Sequence, residues 1–72
     1  MIIYKRDITW EDVAGLDEDE ELIYYKGDDI AVTVIQHDDR YIVRKRQISD
    51  NKIIGEAPLN TVDEVMDFIE TF

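Results

Sequence analysis

The chain has 72 residues and no cysteine, and its 18 acidic and eight basic side chains give a formal net charge of −10 at pH 7. This length fits one domain, residues 1–72, and the lack of cysteine excludes disulfides and thiolate metal sites. A field this negative repels DNA, RNA and anionic membranes and attracts basic surfaces. We therefore expect a basic protein as the binding partner, and no direct binding of DNA.

The apolar residues favour a folded protein that does not enter a membrane. Hydrophobic residues make up 44% of the chain, which argues against intrinsic disorder despite the high net charge. No apolar run approaches the ~20 residues that cross a bilayer, and the N-terminus becomes charged too early for a signal peptide. We predict a cytoplasmic location.

The first predicted elements are a strand at residues 2–5 and one helical turn at residues 9–14. Thr9 and Asp12 have the spacing of a capping box, and Gly15 is a typical stop for the turn. The segment TWEDVAG, residues 9–15, resembles the T-[FW]-x-D-V-x-G segment that lies beside the adenine in AAA+ ATPases. That family also needs a phosphate-binding loop, G-x-x-x-x-G-K-[ST], and none of the three glycines opens one. We therefore interpret the segment as a capped turn.

The middle of the chain predicts strands that alternate with turns. Residues 22–26, 30–37, 40–48 and 52–57 are rich in β-branched and aromatic side chains, which favour strands. If Asp38 and Asp39 form a two-residue loop, period-2 alternation places Val34 opposite Val43 and Ile35 opposite Ile42. One face is expected to meet a helix, with Leu22, Tyr24, Ile30, Val32, Val34 and Val43. The other face, with Arg40, Arg44 and Arg46, is expected to face water, and Arg44 to pair with Glu56.

The C-terminal segment LNTVDEVMDFIETF predicts an amphipathic helix after Pro58. Its apolar residues recur at helical spacing and form one stripe. They are Val62, Val65, Met66, Ile69 and Phe72. Thr61 and Glu64 have the spacing of a capping box. The predicted fold is α+β: a small antiparallel β-meander of 4–5 strands packed on one face by a single C-terminal amphipathic helix.

No pattern in the chain predicts catalysis, a metal or a cofactor. Counted from Asp17, the sixth position of an EF-hand loop is Leu22 where glycine is required. His37 is the only histidine, whereas a zinc site needs three or four ligands. Ser49 is the only serine and has no evident His–Asp partner. We predict a protein that is not an enzyme.

The acidic residues are the main candidates for a binding site. Carboxylates accept the same Arg and Lys donors as phosphate, so an array of them can imitate DNA. We hypothesise that the chain inhibits or regulates a nucleic-acid-handling protein, as small anti-restriction and anti-CRISPR proteins of phages and mobile elements do. The candidate partner-binding residues are Glu11, Asp12, Asp17, Glu18, Asp19, Glu20, Glu21, Asp28, Asp29, Asp38 and Asp39.

Three alternatives give other roles to the same features. Arg44 and Arg46, with Tyr25 across the sheet, would make a basic-aromatic platform for single-stranded nucleic acid. An edge strand, at residues 2–5 or 52–57, would make an adaptor or oligomerisation surface. The acidic run would otherwise be a solvated loop that keeps the protein soluble.

Overall fold

A computed structural model describes residues 1–70, and Thr71 and Phe72 lie outside the described part. The elements in chain order are β1 (Ile2–Lys5), α1 (Trp10–Ala14), β2 (Glu21–Lys26), β3 (Ile30–His37), β4 (Arg40–Gln47), β5 (Lys52–Leu59) and α2 (Val62–Glu70). The five strands form one sheet in chain order. The predicted α+β fold is confirmed, and α2 packs against one face of the sheet. Neither helix in residues 1–70 has the length and apolar composition needed to cross a membrane.

The N-terminal strand joins the meander in parallel, which is a departure from the predicted antiparallel sheet. β1 pairs with β2 in parallel register, Ile3 beside Leu22, whereas the other three strand pairs are antiparallel. Parallel neighbours need a crossover connection of a dozen or more residues. Residues 6–20, which contain α1, provide that connection and return the chain to the end of the sheet where β1 began.

The β3–β4 hairpin has the predicted register. Val34 lies opposite Val43, and Ile35 lies opposite Ile42. Asp38 and Asp39 have φ angles of 52° and 63°, the left-handed values of a type I′ turn, whose twist matches that of the flanking strands. The two-residue loop therefore sets which side chains of β3 and β4 face the helices.

The core lies between the sheet and the two helices. Its buried apolar side chains are Val13, Leu16, Leu22, Val32, Val34, Tyr41, Val43, Val65 and Ile69. Val62 and Met66 of α2 pack against this cluster, so the predicted apolar stripe is confirmed up to Ile69, and Phe72 lies outside the described residues. Burial of each large side chain contributes about 1.5–3 kcal/mol. The stability of the fold thus depends on side chains from both the sheet and the helical side.

Both predicted caps are present at the helix starts. At α1, the Thr9 backbone N–H donates to Asp12 at 2.9 Å, and the Asp12 N–H donates to the Thr9 hydroxyl at 3.3 Å. At α2, the Glu64 N–H donates to the Thr61 hydroxyl at 3.2 Å. The Glu64 carboxylate binds the same hydroxyl at 3.2 Å, where a complete capping box would bind the Thr61 backbone.

Strand boundaries differ from the prediction at three places. β2 begins at Glu21, one residue early, and β4 ends at Gln47, one residue before Ile48. β5 continues through Pro58 to Leu59, although Pro58 was expected to follow the strand. Because β5 is the last strand of the sheet, one side of it has no neighbouring strand, and proline is tolerated at such an edge.

Candidate acidic protein-binding surface

The helical side of the molecule is lined by acidic residues. Residues 8–20 contain α1 and the loop before β2, and residues 60–70 contain α2 and the two residues before it. Neither segment contains a lysine or an arginine. Their carboxylates belong to Glu11, Asp12, Asp17, Glu18, Asp19, Glu20, Asp63, Glu64, Asp67 and Glu70. We call this set the acidic layer. Asp12 and Glu20 are half-buried, and the other members are exposed.

The layer is held together by a contact between the two helices. The indole N–H of Trp10 donates to the Asp63 carboxylate at 2.9 Å. Within the loop, the Asp17 N–H donates to the Glu20 carboxylate at 2.9 Å. The N-terminal ammonium of Met1 donates to the Asp19 carbonyl oxygen at 2.7 Å. These bonds give the acidic loop a defined path beside the sheet.

Three of the predicted residues meet at one cleft. Glu11, Asp12 and Glu20 line an open cleft of about 270 Å³ together with Lys5. The Lys5 ammonium lies 3.6 Å from the Asp12 carboxylate. The Thr9 backbone N–H, with a smaller effect from Lys5, holds the pKa of Asp12 below its usual value. Asp12 is thus a capping residue as well as a member of the layer.

The run of five acids at residues 17–21 is divided by the sheet. Glu21 pairs with Ile35 in β3, and the next residue, Leu22, is buried beneath the helices. Since successive side chains of a strand point to opposite faces, Glu21 belongs to the face away from the helices. Residues 17–20 stay with the acidic layer. A contiguous acidic run therefore does not form a contiguous acidic surface.

The predicted turn residues lie at the two ends of β3. Asp28 and Asp29 precede this eight-residue strand, and Asp38 and Asp39 follow it, so the pairs are separated by about 25 Å at ~3.3 Å per residue. They do not form one row. Asp38 and Asp39 lie at the end of the sheet where β2 begins, which is also the end nearest the acidic loop.

Asp29 joins two turns of the sheet. Its carboxylate accepts the Ser49 N–H at 2.9 Å, the Gln47 side-chain amide at 3.1 Å and the Ser49 hydroxyl at 3.2 Å. The Ser49 N–H, followed by the Gln47 amide, holds the pKa of Asp29 below its usual value. These partners lie 18 and 20 residues away in the chain, so local sequence patterns do not reveal them. The Asp29 carboxylate therefore serves to hold these two turns together.

The four acids of α2 are members of the surface that sequence reasoning did not include. Asp63, Asp67 and Glu70 were expected to point outward, and the structure shows them exposed, beside the acids of α1 because the helices are neighbours. Acids four residues apart on a helix lie about 6 Å from each other. The signal in the sequence was a helix whose charged residues are all acidic.

Lysines of the sheet lie beneath the layer and have internal contacts. The Lys26 ammonium donates to the Ile69 carbonyl oxygen at 2.6 Å, near the C-terminal end of α2, where the helix dipole favours a cation. Lys45 is 2% exposed, and its ammonium lies 4.1 Å from the centroid of the Phe68 ring. Burial, together with the charge of Lys26, lowers the pKa of Lys45. These positive charges are directed inward, so they do not offer a basic surface beside the acids.

The opposite face of the sheet carries the residues of the alternative hypothesis. Arg44 binds Glu56 at 2.6 Å, which confirms the predicted cross-strand ion pair. The rings of Tyr4 and Tyr25 stack on each other, with centroids 6.2 Å apart and an angle of 11° between the planes. They border an open cleft of about 620 Å³ that also includes Lys5, Arg6 and Ile48. Arg44 and Tyr25, two of the residues of the proposed nucleic-acid platform, thus have contacts within the chain.

Within residues 1–70, no three His, Asp or Glu side chains are grouped in a way that could hold a metal ion. Comparisons of the chain with protein-family models, curated proteins and solved structures find no match in any of the three. The functional interpretation therefore depends on the geometry and charge of the chain itself.

Proposed function

We propose that the protein is a non-enzymatic cytoplasmic inhibitor or regulator that binds a basic, nucleic-acid-handling protein through the acidic layer. Its carboxylates take the place of DNA phosphates in the partner's basic groove. Inhibition is steric and electrostatic: the partner's groove is filled, and no bond is made or broken. Phage or mobile-element proteins that counter restriction or CRISPR enzymes are the functional class that this mechanism fits.

The observation that carries the proposal is the separation of charge. Ten carboxylates and no lysine or arginine occupy the segments of the helical side. Acids spread for solubility alone are expected to be interspersed with bases. A single-sign surface instead raises the association rate with a surface of opposite sign.

The placement of the acids on ordered elements also supports the proposal. Acids on α2 are spaced by single helical turns, and the acidic loop is tied to the N-terminus and to itself. Carboxylates held in place lose little conformational freedom when they bind, so more of the interaction energy appears as affinity. They accept Arg and Lys donors in the same way as phosphate oxygens.

The test is an affinity pull-down from bacterial lysate at low salt, with elution by a salt gradient and, in parallel, by duplex DNA. The acidic-layer variant carries Asp17→Asn, Glu18→Gln and Asp19→Asn. The matched control carries Asp7→Asn, Asp28→Asn and Asp50→Asn, three exposed acids outside the layer. Both variants change the net charge from −10 to −7, because each loses three of the carboxylates in the chain.

We expect the wild type and the control to retain the same DNA- or RNA-handling proteins and to release them to DNA. The acidic-layer variant should retain much less. Equal loss in both variants would mean that net charge alone causes retention. Retained proteins that duplex DNA fails to release would contradict competition with nucleic acid.

A further inference from the structure

The face of the sheet away from α1 and α2 is largely apolar. Six of its side chains form an aliphatic and aromatic surface: Ile2, Tyr4, Ile23, Tyr25, Ile35 and Ile42. Their positions follow from the strand register, in which Ile35 lies between Glu21 and Ile42, and Tyr4 lies beside Ile23. We call this surface the open face. The prediction that this face meets water is confirmed, and its apolar side chains lie beside the arginines on which that prediction was based.

Three of these six side chains, Ile2, Tyr4 and Tyr25, are exposed, and Ile23, Ile35 and Ile42 are half-buried. Ile2 is 51% exposed and Tyr4 is 61% exposed, whereas the apolar side chains on the other face of the sheet are buried or packed against the core. Contiguous apolar surface of this kind on a small protein marks an interaction site. Both helices lie on the other side of the sheet, so the described residues leave this face uncovered.

The open face carries charges of both signs, unlike the acidic layer. Arg44 and Arg46 lie on the same side of β4, and Glu21 and Glu56 lie on the same side of β2 and β5. Arg40 also lies on this side of β4, so the face holds three arginines and two glutamates. Two copies with a net charge of −10 each repel one another in most orientations. Contact through the open face brings opposite charges together and keeps the acidic layers at a distance from each other.

We propose that the open face binds the open face of a second copy, so that the protein is a symmetric dimer with its acidic layers outside. In a two-fold contact the same patch is used by both copies, and each copy supplies both signs of charge. Two sheets packed face to face lie ~10 Å apart with interdigitated side chains. The inference does not depend on the proposed function.

The size of the face sets the strength of this dimer. The five strands have four to eight residues each. At ~4.8 Å between strands and ~3.3 Å per residue, they cover about 500 Å² per copy. Two such faces bury about 1,000 Å², which is at the lower end of specific interfaces. We expect a dissociation constant between about 1 µM and 1 mM, so that the monomer and dimer exchange over an accessible concentration range.

Sedimentation equilibrium of the full chain over this range, at ~0.15 M salt to screen the net charge, tests the proposal. The disrupting variant is Ile35→Glu, in the central strand of the open face. Its matched control is Ala14→Glu, at an exposed position of α1. Each adds one negative charge, so long-range repulsion between copies changes equally. Tyr4→Glu, at a more exposed position, serves as a second disrupting variant that does not alter the core.

We expect concentration-dependent dimerisation of the wild type and of Ala14→Glu, and at least a tenfold higher dissociation constant for Tyr4→Glu and Ile35→Glu, with far-UV circular dichroism unchanged. A wild type that stays monomeric to 1 mM would overturn the proposal. So would a dimer that both open-face variants leave intact, since association would then use another surface. A larger oligomer would also overturn it, because a two-fold contact between single faces closes at two copies.

Discussion

The indole N–H of Trp10 lies 2.9 Å from the Asp63 carboxylate and joins the short helix α1 to the start of α2. The two residues are 53 positions apart in the chain. This bond connects the two acidic helices and, together with the packing of Val13 and Val65 in the core, keeps their carboxylates on one side of the molecule.

A double-mutant cycle of Trp10→Phe and Asp63→Ala should give a coupling free energy of about 0.5–1 kcal/mol, the usual range for one exposed hydrogen bond. Urea unfolding followed by far-UV circular dichroism measures it, because Trp10 is the only tryptophan and its replacement removes the fluorescence signal. The same cycle with Asp67→Ala in place of Asp63→Ala should give additive effects. Additive effects in both cycles would show that the bond does not contribute.

Replacement of Asp29 by Asn should reduce stability near pH 7, and the reduction should vanish in acid. The pKa of Asp29 in the folded protein is lowered by the Ser49 N–H and the Gln47 amide. A group with a lowered pKa stabilises the fold above its unfolded value, here 3.8, and that contribution is lost as the pH falls through the folded pKa.

The measurement is the difference in unfolding free energy between wild type and Asp29→Asn from pH 7 to pH 2. The difference, and not the wild-type curve, is diagnostic, because protonation of the other acids also relieves repulsion as the pH falls. Asp28→Asn, at the neighbouring exposed position, is the control and should show a smaller difference. A constant difference at all pH values would contradict the role of the charge.

Stability should increase with salt. The acidic layer has no lysine or arginine among its own residues, so its carboxylates repel one another. Salt weakens this repulsion, and at 0.1 M it largely removes it between charges more than about 10 Å apart. We expect a higher Tm in 0.5 M than in 0.01 M NaCl. The increase should be smaller for the variant with Asp17→Asn, Glu18→Gln and Asp19→Asn than for the control with Asp7→Asn, Asp28→Asn and Asp50→Asn. An equal increase in both would mean that repulsion is not concentrated in the layer.

Asp39→Gly should stabilise the protein by about 0.5 kcal/mol, because Asp39 has a φ of 63° and glycine is preferred at this position of a type I′ turn. Thermal unfolding measures the gain. Asp50→Gly removes the same charge in the β4–β5 turn at a position that does not have a positive φ. It should give no gain, because glycine adds backbone freedom to the unfolded chain and at this position relieves no unfavourable φ angle in the folded chain. A similar gain in both would assign the effect to charge.

Local patterns in the sequence predicted the features that depend on near neighbours. The two-residue loop at Asp38 and Asp39 set the register of β3 with β4, and the Thr9–Asp12 spacing marked the start of α1. Alternation also placed Lys45 on the helix-facing side of β4, although its burial at 2% exposure follows only from the packing of α2 over it.

The acidic surface required the tertiary structure. Glu21 is the first residue of β2, and the alternation of side chains along the strand places it on the face away from the helices, apart from residues 17–20. Asp29 is held by Ser49, 20 residues later, and the acids of α2 reach those of α1 through a fold contact. These relations join distant parts of the chain, so periodicity and spacing along the sequence could not show them.

Competition with DNA for one retained partner is the most direct test of the proposed function. Labelled duplex DNA is bound to the partner, and its fluorescence anisotropy is followed as the wild type, the acidic-layer variant or the matched control is added. We predict that the wild type and the control displace the DNA at similar concentrations, and that the acidic-layer variant needs at least tenfold more. Displacement by the acidic-layer variant at the wild-type concentration would contradict a binding site in the acidic layer.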